Sequence, residues 1–256
     1  MSATLPTFRR VVELLEAREV PSVVVVGDGA IPTPTYTPAD VSATAGTQLT
    51  QSQRFVVHLY QDVLGRQPDS SGLAFWATNL DLGTFTQGQV SIGFVTSDEY
   101  RANTIRSYFQ DILGRGPEVA EVDAYMGQFR AGRSQDQIRE SFFASDEFSA
   151  RFSHNSAAFV AQLYSQVLGR TGSAGEVNFW VNVLRSTNGD RTLVARSFLT
   201  SSEYLQVQVG TVYTVFLQRL PDEVGFNYWV GKRGNGQTIE MVATGVLASA
   251  EYFQRR

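Results

Sequence analysis

The feature that most constrains this chain is that it repeats itself. Four segments align with one another: FVVHLYQDVLGRQPDSSGLAFW from Phe55 to Trp76, IRSYFQDILGRGPEVAEVDAY from Ile105 to Tyr125, FVAQLYSQVLGRTGSAGEVNFW from Phe159 to Trp180, and VYTVFLQRLPDEVGFNYW from Val212 to Trp229. An arginine anchors each copy (Arg66, Arg115, Arg170, Arg219), and an aromatic residue follows ten positions later (Trp76, Tyr125, Trp180, Trp229). Twenty-two or twenty-three residues beyond the aromatic comes the glutamate of a Ser-x-Glu-aromatic closure, namely Glu99, Glu147, Glu203 or Glu251. Landmarks that agree at fixed spacing in four copies imply a repeat architecture, in which a short unit buries its apolar face only against its neighbours.

The intervals between copies suggest their grouping. From closing glutamate to next arginine the spacing is 16, then 23, then 16 residues. The longer interval contains Ser149 to Ala158, a Ser- and Ala-containing stretch suited to a turn. Two pairs are therefore expected, copies one and two over residues 51–152 and copies three and four over 153–256, preceded by a different segment, 1–50.

Within copy one, Phe55, Val56, Leu59, Tyr60 and Val63 recur at helical spacing. Gly65 is suited to a left-handed C-cap, and Gln67-Pro68-Asp69-Ser70 to a turn. A second helix is predicted from about Ser71 to Leu82, with Leu73, Trp76 and Leu80 inward, and a third from about Thr86 to Val95. Ser97 should cap a closing helix that begins with Asp98 and Glu99 and leads into copy two. The fold class expected is all-α: four tandem helical modules in two pairs, with a short extended or β N-terminal segment. Copy four has Gln218 where the others have Gly65, Gly114 and Gly169, so its turn should close by another cap or a bend.

In residues 1–50, Phe8, Val11, Val12 and Leu15 outline a short amphipathic helix. Pro21 breaks it, Val23-Val24-Val25-Val26 favours a strand, and the Pro/Thr-rich stretch around Tyr36 should run extended. A lone strand leaves both its edges open. Val23, Val24, Val25, Val26 and Tyr36 are thus a candidate assembly segment, pairing either with the repeat array or with another molecule.

Composition narrows the function. Seventeen Phe, ten Tyr and three Trp allow a substantial core, and a net charge of −4 without long runs argues against a nucleic-acid partner. The Val23–Val26 run falls far short of the roughly 20 apolar residues that a membrane-spanning helix needs. There is no cysteine, so disulfides and thiolate metal sites are excluded. Glu13 and Glu16 interrupt the apolar stretch after Arg9 and Arg10, which does not match a cleaved secretory signal.

No catalytic residue, cofactor site or metal site is expected. His58 and His154 are the only histidines, and neither recurs in the repeat. The turn acids Asp69, Glu118 and Asp222 lack the close spacing of a calcium loop and read as turn formers. Recurrent serines sit where helices start, so capping accounts for them without nucleophilic chemistry. The arginines are expected to pair with acids and close helix ends, and the Trp residues to pack in cores; a glycan surface built from an exposed aromatic and an arginine is the alternative.

The signature resembles the DUF4214 family of bacterial domains. Arg66, Pro68, Asp69, Gly72, Trp76, Ser97, Glu99 and Tyr100 carry the resemblance in copy one. Copy three matches through Gly169, Arg170, Gly175, Trp180, Ser201, Glu203 and Tyr204, and copy four through Arg219, Pro221, Asp222, Gly225, Trp229, Ser249, Glu251 and Tyr252. Copy two departs at Gly116-Pro117-Glu118 and Tyr125. The resemblance implies modules of extracellular, surface-layer or secreted proteins, similar also to the linker domains of light-harvesting assemblies. It leads to the expectation of a non-enzymatic structural or assembly protein of the bacterial cell exterior, exported without a cleaved N-terminal signal, with the cytoplasm left open. Its partners would be further copies of itself or other surface proteins, with polysaccharide as the alternative.

Overall fold

The computed structural model describes residues 48–255, and among them there is helix and no strand. The amphipathic helix expected near Phe8, the strand Val23–Val26 and the arm at Tyr36 lie outside the described residues.

Copy one consists of α1 (Gln51–Leu64), α2 (Ser70–Asp81) and α3 (Gln87–Val95), and closes with α4 (Asp98–Tyr108). The last of these runs on without a break into a π-helical stretch, Phe109–Leu113, and from Ile105 onward this continuous helix serves as the first helix of copy two. Then come α5 (Val119–Arg130), α6 (Gln135–Ala144) and the short closing helix α7 (Asp146–Ala150). Copy three comprises α8 (Ser156–Val167), α9 (Ala174–Ser186) and α10 (Arg191–Leu199). Its closing helix, α11 (Ser202–Phe216), continues as the first helix of copy four, followed by α12 (Glu223–Gly234), α13 (Ile239–Leu247) and α14 (Ala250–Phe253).

Local chemistry sets these boundaries. Ser97, Ser145, Ser201 and Ser249 each accept a hydrogen bond from the backbone N–H three residues on, at Tyr100, Phe148, Tyr204 and Tyr252, and so start every closing helix. Such caps contribute about 1 kcal/mol each. First helices end at a left-handed residue: Gly65, Gly114 and Gly169 have φ of 71°, 75° and 70°. The following arginine N–H then bonds back to the carbonyl of Tyr60, Phe109 or Tyr164. In copy four no alternative cap is used, because Gln218 itself adopts φ 55°.

The longer interval between copies two and three is where the helix breaks. The helix α7 stops at Ala150, Ser153 and His154 take positive φ, and the Asn155 side chain caps α8 by accepting from Ala158 N–H. With this break the closing residues of copy two do not become the first helix of copy three, as happens at the other two junctions.

The cores do not follow chain order. One buried cluster joins copies two and three, running from Ile105 and Tyr108 through Phe142, Phe148 and Phe159 to Phe198 and Tyr204. The other joins copies one and four, from Phe55, Leu59 and Trp76 through Tyr100 to Val209, Phe216, Val246 and Tyr252. Spacing suggested pairs 51–152 and 153–256, whereas α6 packs on α10 and α3 packs on α13. The shared helices explain the difference. A helix that closes one copy and opens the next points its two halves into different cores, with Tyr100 in one and Tyr108 in the other, and likewise Tyr204 and Val212.

A non-glycine residue in the left-handed region costs roughly 1–2 kcal/mol. Replacing Gln218→Gly is therefore expected to raise stability by about 1 kcal/mol after the extra freedom of glycine in the unfolded chain is counted. Urea unfolding midpoints compared at equal slope check this, and an unchanged or lower midpoint would refute it.

Candidate functional site: the arginine clasps and a buried ion cluster

The four anchor arginines and four closing glutamates meet. Arg66 donates through Nε and Nη2 to the two Glu99 oxygens at 2.5 and 2.9 Å. Arg115 does the same to Glu147 (2.5 and 3.0 Å), Arg170 to Glu203 (2.5 and 3.0 Å) and Arg219 to Glu251 (2.6 and 2.7 Å). Each guanidinium also lies over an aromatic ring six residues back, at 4.8 Å from Tyr60, 4.7 Å from Phe109, 4.8 Å from Tyr164 and 5.4 Å from Tyr213. The left-handed turn aims the arginine back along its helix, the ring supplies a flat seat, and the N-capped closing helix presents the carboxylate.

The aromatic ten residues after each arginine turns inward. Trp76, Tyr125 and Trp180 pack against the third-helix rings Phe94, Phe142 and Phe198 at centroid distances of 5.6, 4.6 and 5.2 Å. The Trp229 ring occupies the space a Cβ would need at Gly245.

The clasps come in two kinds. In copies two and three a second carboxylate six residues after the arginine joins in, with Arg115 bound to Glu121 at 2.6 and 2.8 Å and Arg170 to Glu176 at 2.8 and 3.2 Å. In copies one and four that position is Gly72 or Gly225, and a side chain there would collide with the hydroxyl of Tyr60 or Tyr213. Copy two avoids the collision because Phe109 has no hydroxyl. Copy three avoids it by resting the Tyr164 ring on Gly172, the residue that replaces proline. Gly175, read from the sequence as the counterpart of Gly72, has open space around it.

The twin-carboxylate clasps have an electrostatic signature. Arg115, with the Glu118 N–H, holds the Glu121 carboxyl down to about 2, and Arg170 holds Glu176 down to about 2. Glu147 and Glu251 are lowered by their arginines as well.

Sequence reasoning missed a second polar cluster, buried where copies two, three and four meet. Arg233 of α12 is 2% exposed at its side chain and lies 3.5 Å from Asp136 of α6. It also donates to Gln208 Oε1 at 2.6 and 3.1 Å. Arg139 donates to the hydroxyl of Tyr204 at 3.1 Å, which in turn faces Asp136 at 3.4 Å; burial pushes this phenol's pKa up. Asp136 and Arg233 line a cavity of about 160 Å³ together with Leu199, Thr200, Leu205, Gly234 and Gly236. Tyr204 belongs to the recurring closure, but Asp136, Arg139, Gln208 and Arg233 do not recur across the copies, so comparison of the repeats had no signal for them.

The histidines stand apart from both arrangements. His58 lies on α1, where burial lowers its pKa, and His154 Nδ1 is 3.2 Å from Ser149 Oγ. No described helix is long and apolar enough to cross a membrane.

The family model of DUF4214, a domain of unknown function, matches residues 39–104, 139–208 and 206–256. The chain belongs to the DUF4214 family. The matched DUF4214 segments contain three of the four clasp arginines and all four closing glutamates, while residues 105–138, with Arg115 and Tyr125, fall between matches. No curated protein and no solved structure matches the chain.

Two predictions separate the roles of these groups. Breaking a clasp by Arg66→Ala is expected to cost about 1–2 kcal/mol, the sum of a half-exposed ion pair and a cation–π contact. Replacing Arg233→Met removes the guanidinium that faces the buried Asp136 carboxylate and should cost about 3 kcal/mol. Denaturant titration of both variants checks the order, which would be reversed if the clasps were the main source of stability.

The third prediction concerns acid. Glu121 has its ordinary value of 4.5 when unfolded and about 2 when folded, so its stabilisation is complete above 4.5 and is lost as pH falls through about 2. Stability should decline over that window, and Glu121→Gln should flatten the decline. Carbon-detected carboxyl titration would contradict this if Glu121 titrated at about 4 or above.

Proposed function

We propose that this chain is a non-enzymatic structural or assembly protein of the bacterial cell exterior, acting through protein–protein contacts. One observation carries the reading: the residues that recur in every copy are occupied within the fold. The four arginines bind the four glutamates, the recurring serines cap helices, and the recurring aromatics pack on the cores. Recurrence here builds a scaffold, and scaffolds of stacked modules offer extended surfaces to partners. The exterior location rests on the resemblance to modules of secreted and surface-layer proteins, and export without a cleaved signal is part of the same reading. The segment with Val23, Val24, Val25, Val26 and Tyr36 is the proposed self-association element.

A glycan-binding surface is the second reading, and a specific feature favours it. Phe179 and Tyr228 are exposed aromatics, and Lys232 Nζ lies 5.3 Å from the centre of the Tyr228 ring.

Sedimentation across a concentration series distinguishes the two. Assembly predicts a size that grows with concentration and shrinks when residues 1–50 are deleted. A chain that stays monomeric throughout and binds a defined polysaccharide would replace the assembly reading.

A further inference from the structure

Helix α12 carries an apolar stripe that its module does not need. Leu220, in the turn before the helix, is 77% exposed, and Val224 and Tyr228 on the helix are 80% and 55% exposed. Val224 and Tyr228, four apart on the helix, share one of its faces, and Leu220 is exposed in the turn that leads into it. The other face is already used, since Phe226, Trp229 and Val230 pack on the core of copies one and four. At the positions of Leu220 and Val224 the other copies have Gln67 and Ser71, Gly116 and Ala120, and Thr171 and Gly175. The same turn and helix form there without large apolar groups, so building the fold gives no reason for Leu220 and Val224.

We propose that the chain's own segment Phe8–Leu15 docks on this stripe within the same molecule. Phe8, Val11, Val12 and Leu15 follow the spacing of one apolar helical face, which suits a surface made of Val224 and Tyr228 with Leu220 at its end. Charge complements the fit. The stripe is flanked by Glu223 near its start and Lys232 near its end, and the segment has Arg9 and Arg10 at its start and Glu13 and Glu16 at its end. Laid parallel, unlike charges fall together.

Chain length favours the same molecule over a neighbour. Gln48, where the described chain begins just ahead of α1, lies 32 positions beyond Glu16. Thirty-two residues can reach at most about 100 Å, several times the roughly 30 Å width of a small domain. Because α1 and α12 pack on one core, the stripe is within reach. A tether of this kind confers an effective concentration near the millimolar range, so at micromolar protein the intramolecular contact prevails. The proposal goes beyond the assembly reading and does not depend on it, since docking can hold whether or not the chain assembles.

The chain has no cysteine, so an introduced pair reports only on the chosen contact. The doubly substituted full chain Val12→Cys with Val224→Cys, treated at micromolar concentration with a short bismaleimide, should yield internally cross-linked monomer. The yield should exceed at least ten-fold that of Val12→Cys with Ala120→Cys, the corresponding position of copy two. Circular dichroism confirms that both variants keep their helix content. In parallel, backbone amides of 224–231 should exchange about ten-fold more slowly in the full chain than in a chain lacking residues 1–16. Equal cross-linking of the two pairs, cross-links that join only separate chains, or unchanged exchange would each overturn the proposal.

Discussion

Each module is closed by its arginine onto the helix that starts at the next Ser-x-Glu, and the remaining geometry depends on that closure. Each clasp joins residues 32 or 33 apart, and in copies one and three the clasped helix is also the first helix of the following copy. A guanidinium and a carboxylate joined by two parallel hydrogen bonds, with the guanidinium seated on a ring, have little angular freedom. The pair is half-exposed, so its net energy is small beside that of the buried rings it overlies. Its effect is directional. Fixing the angle at which the closing helix leaves one module fixes the angle at which the next module begins.

From there, pairing follows from what the third helices carry. In the joint between α6 and α10, Glu140 is nearly buried and is met by both nitrogens of the Arg196 fork, at 2.8 and 2.9 Å. The corresponding positions of α3 and α13 are Ile92 and Thr244. Packing α6 against α3 would leave the Glu140 carboxylate buried beside an isoleucine, a cost of several kcal/mol. Charge at one joint and its absence at the other thus direct copy two to copy three and leave copy one for copy four. The Asp136, Arg139 and Arg233 cluster then ties copy four to copies two and three across the boundary between the cores.

Much of this was legible in the sequence, because local rules set it. Gly65, Pro68, Thr86 and Ser97 mark helix ends through backbone chemistry that does not depend on the rest of the fold, and the observed boundaries fall within a residue or so of the expected ones. The sequence led to an arginine paired with an acid, and the structure names the acid as the closing glutamate, 32 or 33 residues on. Core pairing was not read from the intervals, since a 16- or 23-residue gap says whether helices are shared but not which faces meet. A better signal was present in the differences. Gly72 and Gly225 stand where Glu121 and Glu176 stand in the other two copies, and Gly93 and Gly245 where those have Ser141 and Ser197. Copies one and four are alike, copies two and three are alike, and like packs with like. Arg233 and Asp136 left no such trace because each occurs once.

Copy four shows what separates a building residue from a free one. Its first helix turns through Gln218 at φ 55°, where the other copies have glycine at this turn, and the exposed positions beyond it include Leu220, Val224 and Tyr228. The strain is the cost of making the clasp's left-handed turn without glycine, whereas the exposed apolar area serves no part of the clasp, since Arg219 binds Glu251 through the same two nitrogens as its counterparts. Arg233, further along the same helix, anchors it from the buried side. A helix held that firmly by its inner face can carry an uncompensated outer one. The recurring landmarks account for how the chain folds, and it is at Leu220 and Val224, which have no large apolar counterpart in the other copies, that sequence is free to answer to a contact.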